Sequence, residues 1–556
     1  MQECADDAWM GIDLSTQSIT VIILPNDGLS ESVITEKLIF DEDLPHYNTV
    51  NGMNVTDNRV HGDNEVVTSP VYMWLDGLDI ALTRLSKNDK ALPFLSKISG
   101  ISVSGQQHGT VYWKSGALSA LKSMSSLPAN LTLTETLNNC FSIRDCPIWA
   151  DSSTAEQCSR LEEELGGPWN LAKITGSSAY SRFSGNQISK IAGNKPEIWA
   201  NCERVSLVSS FVTSLLIGSY APIDKADGSG MNLMDLEDGK WSQECVAATR
   251  APSLETKLGQ ICNSFEIVGE VSPFFSEKYK LPKNCSVVSG SGDNPCSLAG
   301  VGAIGNDVVI SLGTSDTIMG STNETVTPGI DSHVMVSPID PNAKFIMLVY
   351  KNGGLARERI RDNCADGSWE KFESILKLSR PGNEGVLGLF LDMPEITPQI
   401  NRVGHFFFDA KGPGNFVGAS SKSKEEIARA CVEGRFLSMR SRLGKLGMKR
   451  FDKVYAVGGA CNNKAITQIM ANVFQANVYI GESSEAAAVG AALRAKHGVM
   501  CHRQSRFVPF GKALGKTLSN GKMIASPDKS TERCYGDLLE KYYRFETLVK
   551  DGNSDK

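Results

Sequence analysis

Two short segments that lie far apart in this chain resemble each other closely. Residues 11–20 read GIDLSTQSIT and residues 310–319 read ISLGTSDTIM, so each consists of an apolar run, a polar turn and a second run with β-branched residues. This pattern is typical of two strands joined by a hairpin. Aligning the segments pairs Leu14 with Leu312, and the pairing predicts a duplicated fold whose two copies open the two halves of the chain.

The turns of these two segments predict a phosphate-binding site. Turns rich in Gly, Ser and Thr present backbone N–H groups and hydroxyls, which are the donors that anionic phosphate oxygens require. Either turn taken alone is also explained as an ordinary polar hairpin turn. Taken as a pair, the turns predict a nucleotide-binding fold in which both grip one polyphosphate. The turn residues are Ser15, Thr16 and Gln17 in the first segment and Gly313, Thr314 and Ser315 in the second.

The length of the chain, 556 residues, exceeds what one hydrophobic core usually supports. We therefore expect two domains, residues 1–300 and residues 301–556, with a cleft between them. Apolar residues make up 41% of the chain and charged residues 21%, which suffices for large cores without disulfides or structural metal. No site is identified after Cys501, and the sequence leaves open whether that last segment packs on the second domain.

Charge and hydropathy exclude several classes of partner. The net charge of -7 and the pI of about 5.7 argue against nucleic acid. The longest apolar runs, such as residues 21–24 and 385–391, fall far short of the roughly 18 residues that span a bilayer, so no membrane partner is expected. No signal-peptide pattern is visible, and the 14 cysteines include no Cys-x-x-Cys pair, which favours free thiols in a reducing compartment. These features predict a cytosolic protein and leave its oligomeric state open.

A glycine-rich segment at residues 289–300, SGSGDNPCSLAG, carries the most telling candidate for chemistry. It follows a strand-like run at 285–288, and we expect Asn294 as the N-cap of a helix with Pro295 at its first position. Asp293 would then lie just outside the positive end of the helix, which should keep its carboxylate ionised near neutral pH. Such a carboxylate can accept the proton of a sugar hydroxyl as that oxygen attacks a phosphoryl group. Alternatively, Asp293 only shapes its turn.

Asp13, in the first hairpin, is the candidate metal ligand. Mg²⁺ prefers hard oxygen ligands and keeps several waters when it bridges phosphates, so one carboxylate beside a phosphate turn suits it, directly or through water. The alternative is a turn residue that bonds its own backbone. The pattern Gly-x-x-x-x-Gly-Lys-[Ser/Thr] is absent from the chain, so phosphate must be bound by a device other than the P-loop.

Three loops between the hairpins contain polar residues that can line a polyol. They read QQHG at 106–109, WAD at 149–151 and SRFSGNQ at 181–187. In the first loop, His108 offers a neutral imidazole that can hydrogen-bond hydroxyl groups, although a lone histidine is more often a structural residue.

A fourth loop, GGACNN at 458–463, lies between a predicted strand at 454–457 and a predicted helix from Ala465. Its glycines permit a nucleotide to approach the backbone closely, and the following helix start favours an anion. A plain tight turn has the same pattern. Upstream, the pair Ser423 and Glu426 forms a capping box that predicts the start of another helix.

Together and in this order, these motifs resemble the FGGY family of carbohydrate kinases. The resemblance runs from about Trp9 to about Gly498. It implies an α/β fold of two ribonuclease H-like domains, the actin/hexokinase-like ATPase fold, with an interdomain cleft. Its most specific marks are GIDLSTQS from Gly11, GQQHG from Gly105, WADSST from Trp149, RFSGNQ from Arg182, GDNP from Gly292 and SLGTSDT from Ser311.

The resemblance also implies roles for single residues. Asp293 becomes the catalytic base and Asp13 the residue that serves Mg²⁺. The implied sugar-binding residues are His108, Arg182, Asp293 and Asn294, with Gln107 and Asp151. The implied ATP-binding residues are Ser15, Thr16, Gln17, Gly313, Thr314, Ser315, Trp369, Gly458, Gly459 and Asn463. Two positions depart from the common pattern, since bacterial relatives usually carry Met at the place of Gln107 and many members carry Ser at that of Cys461.

The implied activity is a kinase reaction that uses ATP and Mg²⁺ and acts on a small ketopentose. D-xylulose, phosphorylated on its 5-hydroxyl, is the first candidate, and its product would feed the pentose phosphate pathway. The alternatives are ribulose, glycerol or gluconate as substrate, an actin-like or heat-shock-type ATPase driven by a protein partner, and a catalytically dead sugar-binding relative. A partner-driven ATPase has no need of Asp293 or of the loops around His108 and Arg182, and intact Asp13 and Asp293 argue against a dead relative.

Overall fold

The chain forms two compact units. They are described by a computed structural model that covers residues 7–26, 33–57, 65–128, 130–411, 414–481, 485–518 and 521–552, without the side chain of Lys516. The first unit comprises residues 1–304, 335–345 and 483–519, and the second comprises residues 305–334, 346–482 and 520–556.

The core of the first unit is built on a seven-stranded sheet. Its first strand, Ala8–Leu14, pairs antiparallel with Ser18–Pro25 and parallel with Ile98–Gly105. Every residue of Ala8–Leu14 is buried, as expected for a central strand that is covered on both faces. In spatial order the strands are Ile267–Glu270, Ser286–Val288, Ile98–Gly105, Ala8–Leu14, Ser18–Pro25 and Ile34–Ile39, with Ser291–Gly292 pairing at the end of Ile98–Gly105.

Three smaller sheets and many helices complete the first unit. The small sheets are Asn54–Asp57, Val66–Pro70 and Asp145–Pro147; Thr110–Lys114 and Cys202–Leu207; and Ile223–Asp224 and Ile261–Cys262. The α-helices within the described ranges are Phe40–Asp43, Val71–Leu85, Leu92–Leu95, Ala117–Ser123, Leu133–Thr136, Ala155–Glu164, Pro168–Thr175, Ser184–Asn194, Pro196–Ala200, Val208–Ile217, Lys225–Gly228, Gln243–Ala248, Leu254–Leu258, Pro273–Tyr279, Asp293–Gly300, Ala486–Arg503 and Phe510–Leu514. Short 3₁₀ turns occur at Pro45–Tyr47, Met124–Ser126, Ser229–Met231 and Gly515–Thr517.

A second seven-stranded sheet is centred in the second unit. Its first strand, Val308–Leu312, pairs antiparallel with Asp316–Thr322 and parallel with Lys453–Val457. In spatial order the strands are His333–Val336, Lys344–Tyr350, Asp316–Thr322, Val308–Leu312, Lys453–Val457, Asn477–Ile480 and Lys522–Ala525, and a separate sheet contains Val386–Leu391, Gly404–Asp409 and Asn415–Val417. The described α-helices are Gly354–Ala365, Trp369–Leu378, Lys424–Leu446, Lys464–Phe474 and Glu532–Lys550, with 3₁₀ turns at Pro381–Gly385, Ala419–Ser421, Gly459–Asn462 and Lys529–Thr531.

The two large sheets repeat one arrangement. In each, an antiparallel hairpin is followed by a strand that pairs parallel with the first strand of the hairpin. Leu14 ends the first strand of one sheet and Leu312 ends the first strand of the other, so the alignment made from the sequence is confirmed. The predicted duplicated α/β fold is also confirmed, because each copy opens on its hairpin.

Local predictions in the second half of the chain are confirmed. Ser423 and Glu426 form the capping box, with Ser423 Oγ accepting from the Glu426 N–H at 3.2 Å and Glu426 Oε2 accepting from the Ser423 N–H at 2.8 Å. The helix that they begin is Lys424–Leu446. The strand Lys453–Val457 and the helix Lys464–Phe474 flank the predicted glycine loop.

The domain division differs from the predicted one in two segments. Residues 335–345 and 483–519 belong to the first unit, although they were expected in the second domain. The main reason is the helix Ala486–Arg503, which packs against strands Ala8–Leu14 and Ile98–Gly105 of the first sheet. Of the segment after Cys501, residues up to 519 join the first unit, and the helix Glu532–Lys550 packs in the second, where Tyr535, Tyr542 and Phe545 are buried.

Within the described ranges, every helix is too short or too polar to cross a membrane.

Candidate active site

Asp293 is the first residue of the helix Asp293–Gly300, and Gly292 is the N-cap. The predicted N-cap at Asn294 is therefore wrong, and Pro295 is the third helical residue rather than the first. Asp293 Oδ1 accepts a hydrogen bond from the Asn294 backbone N–H at 2.8 Å, so the aspartate itself satisfies one of the free donors of the first turn. Pro295 has no N–H and leaves no further donor unsatisfied at that position.

The charge state of Asp293 also differs from the prediction. Burial raises the pKa of Asp293 to about 7, and the negative charge of Asp13 adds to the rise, while hydrogen bonds from backbone N–H groups oppose it. The expectation of a fully ionised carboxylate at neutral pH is wrong because burial and Asp13 outweigh the helix end. A carboxylate whose pKa lies near the working pH is well matched to accept a proton and release it again.

Gln107 and His108 lie beside the start of this helix. Asn294 Nδ2 donates to Gln107 Oε1 at 2.8 Å, whereas Gln107 Nε2 is buried and makes no hydrogen bond within the described ranges. His108 Nδ1 lies 3.0 Å from the carbonyl oxygen of Gly230. Because a carbonyl only accepts, Nδ1 carries the hydrogen. The buried amide of Gln107 thus presents a donor suited to a hydroxyl group, and the Gly230 carbonyl fixes the His108 ring beside it.

Asp13 lies near the end of the central strand and is 5% exposed. Its Oδ2 accepts a hydrogen bond from Ser15 Oγ at 2.6 Å, but its Oδ1 is buried and has no hydrogen-bond partner among the described residues. Burial raises the pKa of Asp13, and the hydroxyl groups of Ser15 and Ser104 oppose the rise. A buried carboxylate oxygen without a partner fits a hard cation such as Mg²⁺. No cluster of three or more His, Cys, Asp or Glu side chains with metal-binding geometry occurs in the described part of the chain.

Arg182 contacts Trp149, and Trp149 in turn contacts Thr16 of the first hairpin turn. Arg182 NH1 donates to the carbonyl oxygens of Trp149 and Ala150, each at 3.1 Å, and its guanidinium lies 5.7 Å from the centre of the Trp149 ring. Trp149 Nε1 donates to Thr16 Oγ1 at 2.8 Å, and Thr16 Oγ1 donates to Gln106 Oε1 at 3.4 Å. Trp149 remains 40% exposed. The sequence motif contained Trp149, but its residue type alone did not mark it as part of the site.

Asp151 is held by the protein itself. Its Oδ1 accepts from Ser153 and from Gln187 Nε2, the latter at 2.7 Å, and its Oδ2 accepts from the Val67 N–H at 3.1 Å. Asp151 is 1% exposed. These contacts order the loop that carries Trp149, so the structure gives Asp151 a supporting role, and direct contact with the sugar stays a prediction.

The second unit contains a cavity of about 570 Å³ beside its own hairpin turn. Five of the predicted ATP-binding residues line it: Gly313, Thr314, Trp369, Gly459 and Asn463. Ser315 and Gly458 are not among the lining residues, and Ser15, Thr16 and Gln17 belong to the first unit, where they form the turn between Ala8–Leu14 and Ser18–Pro25. Residues that sequence reasoning missed here are Leu312, Gly354, Leu355, Arg357, Glu358, Glu370, Glu373, Ala460 and Asn462.

The glycine loop shapes one wall of this cavity. Gly458 has a left-handed φ of 96°, and a Cβ there would come within 2.4 Å of the Leu312 carbonyl oxygen, so only glycine fits. A Cβ on Gly459 would meet no atom within 4 Å, which leaves the space above it open. Asn463 Oδ1 caps the helix Lys464–Phe474 by accepting from the Ala465 and Ile466 N–H groups, both at 3.1 Å.

Trp369 also lines this cavity and is the first residue of the helix Trp369–Leu378. Ser368 caps that helix by accepting from the Lys371 N–H. The Arg361 guanidinium lies 4.6 Å from the centre of the Trp369 ring, and Phe372 meets the ring edge-on. The cap and these two contacts hold an aromatic surface that suits a flat base.

A buried ion network lies beneath the hairpin turn of the second unit, and no sequence motif signalled it. Arg357 donates to both carboxylate oxygens of Asp316, at 2.5 and 2.9 Å. Arg435 Nε lies 3.4 Å from Asp316 Oδ2, and its guanidinium lies above the Tyr350 ring. Asp316 directly follows the turn, but its pairing with Arg357 could be recognised only once the helix Gly354–Ala365 was known to abut that turn. The Gly354 N–H donates to the carbonyls of residues 313 and 314.

Two sheets of this arrangement in one chain define the two-domain, actin/hexokinase-like class of α/β fold. Family models match both halves, the "FGGY family of carbohydrate kinases, N-terminal domain" over residues 123–300 and the corresponding "C-terminal domain" over residues 308–499. The chain therefore belongs to the FGGY family of carbohydrate kinases, which phosphorylate sugars with ATP.

Several relatives support this assignment. The chain is 41% identical to a xylulose kinase of Mus musculus, over 97% of this chain and 94% of that protein. It is 40% identical to xylulose kinase 2 of Arabidopsis thaliana, over 98% of this chain and 97% of that protein. Its fold is similar to that of a xylulose kinase from Rhodospirillum rubrum, with a TM-score of 0.74 at 16% identity over 97% and 99% of the two chains.

Proposed function

We propose that this kinase transfers the terminal phosphoryl group of ATP to the 5-hydroxyl of D-xylulose, giving D-xylulose 5-phosphate. The observation that carries the choice of sugar is the 41% identity to a mouse xylulose kinase over nearly the whole of both chains. The fold alone does not select a substrate, because one fold hosts many functions and the loops decide among them.

Asp293 acts as the general base. It lies at the start of a helix, its pKa of about 7 allows it to accept the hydroxyl proton at neutral pH, and the bond from the Asn294 N–H fixes its Oδ1. Removing the proton as the hydroxyl oxygen attacks increases the nucleophilicity of that oxygen in the transition state.

The sugar hydroxyls bind to the polar groups that surround this base. Gln107 Nε2 supplies a donor that has no partner among the described residues, and the His108 ring, held by the Gly230 carbonyl, lies next to it in the chain. Asn294 holds Gln107 in place, and Arg182 contributes its positive charge beside the exposed ring of Trp149. Asp151 stabilises the loop that contains Trp149 by accepting a hydrogen bond from Gln187.

ATP occupies the cavity of the second unit. Trp369 and the open backbone at Gly459 accommodate the base and ribose, and the turn that contains Gly313 and Thr314 offers N–H and hydroxyl donors to phosphate oxygens. In the first unit, the turn of Ser15, Thr16 and Gln17 supplies donors of the same kind.

Asp13 serves Mg²⁺ through its unpartnered Oδ1, directly or through a water molecule. When bound, Mg²⁺ neutralises part of the negative charge on the phosphates. Ser15 holds the other oxygen of Asp13, so the carboxylate keeps one orientation.

The compartment that we propose is the cytosol. The described cysteines are free thiols and most are buried, as in Cys146, Cys296 and Cys431, which suits a reducing environment. Cell fractionation tests this placement, and recovery of the protein in an oxidising compartment would contradict it.

A coupled assay of ADP release tests the reaction. Purified protein with Mg-ATP is offered D-xylulose, D-ribulose, glycerol and D-gluconate, beside the variant Asp293→Asn. We expect D-xylulose to give the highest kcat/KM and Asp293→Asn to lower kcat by about a thousand-fold, because a positioned base contributes about that much. The matched control is Asp43→Asn, which removes a surface carboxylate paired with Arg84 at 2.7 Å and should leave kcat unchanged.

Each outcome of this assay has a separate meaning. Faster turnover of another sugar would reject D-xylulose and keep the kinase. Full activity of Asp293→Asn would reject the base. ATP hydrolysis that no sugar stimulates would favour the partner-driven ATPase, which membership of a carbohydrate kinase family otherwise argues against.

A further inference from the structure

A buried arginine lies on the helix Ala486–Arg503, which comes from the C-terminal half of the chain but packs in the first unit. The backbone of this helix packs directly against the backbone of the helix Asp293–Gly300, which begins with the proposed general base. A Cβ on Gly490 would come within 1.8 Å of the Cys296 carbonyl oxygen, so the two helices approach as closely as glycine permits. Arg494, four residues further along, is completely buried.

Arg494 holds the segment that leads to the proposed base. Its NH2 donates to the carbonyl oxygen of Ser289 at 3.0 Å and to that of Ser264 at 2.9 Å. Its NH1 donates to Ser102 Oγ at 3.4 Å. Ser289 begins the glycine-rich turn 289–292 that immediately precedes Asp293, so the guanidinium fixes the first carbonyl of that turn.

Asp224 holds the same turn at a second point. It lies 3.8 Å from Arg494 NH2, and its Oδ1 accepts from Ser291 Oγ at 3.0 Å. Asp224 also caps the short helix Lys225–Gly228 by accepting from the Asp227 N–H at 2.8 Å. That helix leads directly to Gly230, whose carbonyl binds the His108 ring.

We propose that Arg494, together with Asp224, is a positioning residue that fixes turn 289–292 and thereby the orientation of Asp293 and the placement of Gly230 against His108. The proposal rests on the proposed role of Asp293 as the base. It assigns to the helix Ala486–Arg503 a part in phosphoryl transfer although none of its residues is proposed to touch the sugar.

The physical argument is that a turn of serines and glycines has little stiffness of its own. Glycine loses more conformational freedom on folding than any other residue, so contacts from outside must select one conformation. A base displaced by about 1 Å loses on the order of a hundred-fold in rate. A planar guanidinium with several donors in fixed directions suits the simultaneous capture of two carbonyls and a carboxylate better than an ammonium does.

The test compares Arg494→Met with Arg429→Met. Arg429 is a matched control, because it is also a buried arginine paired with a carboxylate, Glu433 at 2.6 Å, but it lies on the helix Lys424–Leu446 of the second unit. Rates are measured at a temperature where circular dichroism shows each variant folded. We expect Arg494→Met to lower kcat by about a hundred-fold with the KM for ATP within about twofold, and Arg429→Met to keep kcat within about threefold.

Two milder variants keep the proposal testable if Arg494→Met does not fold. Ser291→Ala removes one hydrogen bond to Asp224 and should lower kcat by about threefold to tenfold. Arg494→Lys keeps the positive charge but loses the planar guanidinium with its several fixed donors, and it should have less than a tenth of the wild-type kcat. Hydrogen exchange should show faster exchange at residues 289–293 in both variants and no change in strand Val308–Leu312.

The proposal is overturned if folded Arg494→Met keeps kcat within about threefold of the wild type, or if Ser291→Ala and Arg494→Lys both leave kcat unchanged. It is also overturned if Arg429→Met in its folded state loses as much kcat as Arg494→Met, because the loss would then reflect general destabilisation. Asp293→Asn, measured in parallel, separates this failure from that of the proposed function: an active Asp293→Asn rejects the base whatever Arg494 does.

Discussion

The hairpins of the two units differ in the partners of the aspartate that adjoins each turn. In the first unit Asp13 precedes the turn, and its Oδ1 is buried without a partner among the described residues. In the second unit Asp316 follows the turn, and both of its oxygens are bound by Arg357, with Arg435 close to one of them. The same supersecondary element therefore has one carboxylate oxygen without a partner among the described residues in one copy, and a carboxylate with both oxygens bound by an arginine in the other.

This contrast teaches that a duplicated fold does not duplicate chemistry. The turn of the second unit is reinforced by charge pairs and lies beside a cavity that suits a nucleotide. The turn of the first unit follows Asp13, which has no arginine partner like that of Asp316 among the described residues and which helps to raise the pKa of Asp293. Buried carboxylates with perturbed pKa values are common at functional sites. Three experiments can break or sharpen the comparison.

The largest expected effect comes from Asp13→Asn. We expect kcat/KM to fall by about a thousand-fold, or about 4 kcal/mol of transition-state stabilisation, because the proposed metal ligand is lost. The free energy of unfolding should not fall, because burial disfavours the charged form of Asp13 more than its hydrogen bonds stabilise it. Steady-state kinetics and urea unfolding of the same preparation check both parts. If Asp13→Asn lost stability but kept its activity, the proposal that Asp13 serves catalysis whereas Asp316 serves stability would be wrong.

Asp316→Asn should show the opposite behaviour. It leaves Arg357 buried without its carboxylate, and breaking a buried pair costs about 3 kcal/mol or more of folding free energy. Thermal or urea unfolding measures the loss, and Arg357→Met/Asp316→Asn, which removes both charges, should recover a large part of it. If Asp316→Asn were as stable as the wild type, the network beneath the second turn would have no structural role.

The smallest expected effect is a dependence of stability on pH at Asp293. Because its pKa is raised from 3.8 to about 7 in the folded protein, the stabilising contribution is complete below pH 3.8 and is lost as the pH rises through 7. Because asparagine does not titrate, the free energy of unfolding of Asp293→Asn relative to that of the wild type should therefore rise by about 2.5 kcal/mol between pH 5 and pH 8. For Asp316→Asn we expect destabilisation at both pH values. A difference in stability between Asp293→Asn and wild type that stays the same at both pH values would contradict the raised pKa.

Much of the candidate site could be predicted from the sequence because its parts are local. The similarity of the two hairpins predicted the equivalence of Leu14 and Leu312. The glycine-rich segment predicted a helix that begins at Pro295, two residues after its observed start at Asp293. The charge state of Asp293 could not be predicted, because it depends on burial and on Asp13, which lies on a strand 280 positions away in the sequence. Arg494 and Arg357 carried no local signal at all, since each acts on a turn far away in the sequence.

The sequence by itself determined the duplication, the α/β class and the residues that can do chemistry, because strand periodicity, glycine turns and helix caps are properties of a few neighbouring residues. Only the tertiary structure decided that the helix Ala486–Arg503 joins the first unit, and that Asp13 has an oxygen without a partner among the described residues whereas both oxygens of Asp316 are bound. The physical reason is that burial and charge compensation are set by whatever packs against a side chain. In this protein those partners come from segments far removed along the chain.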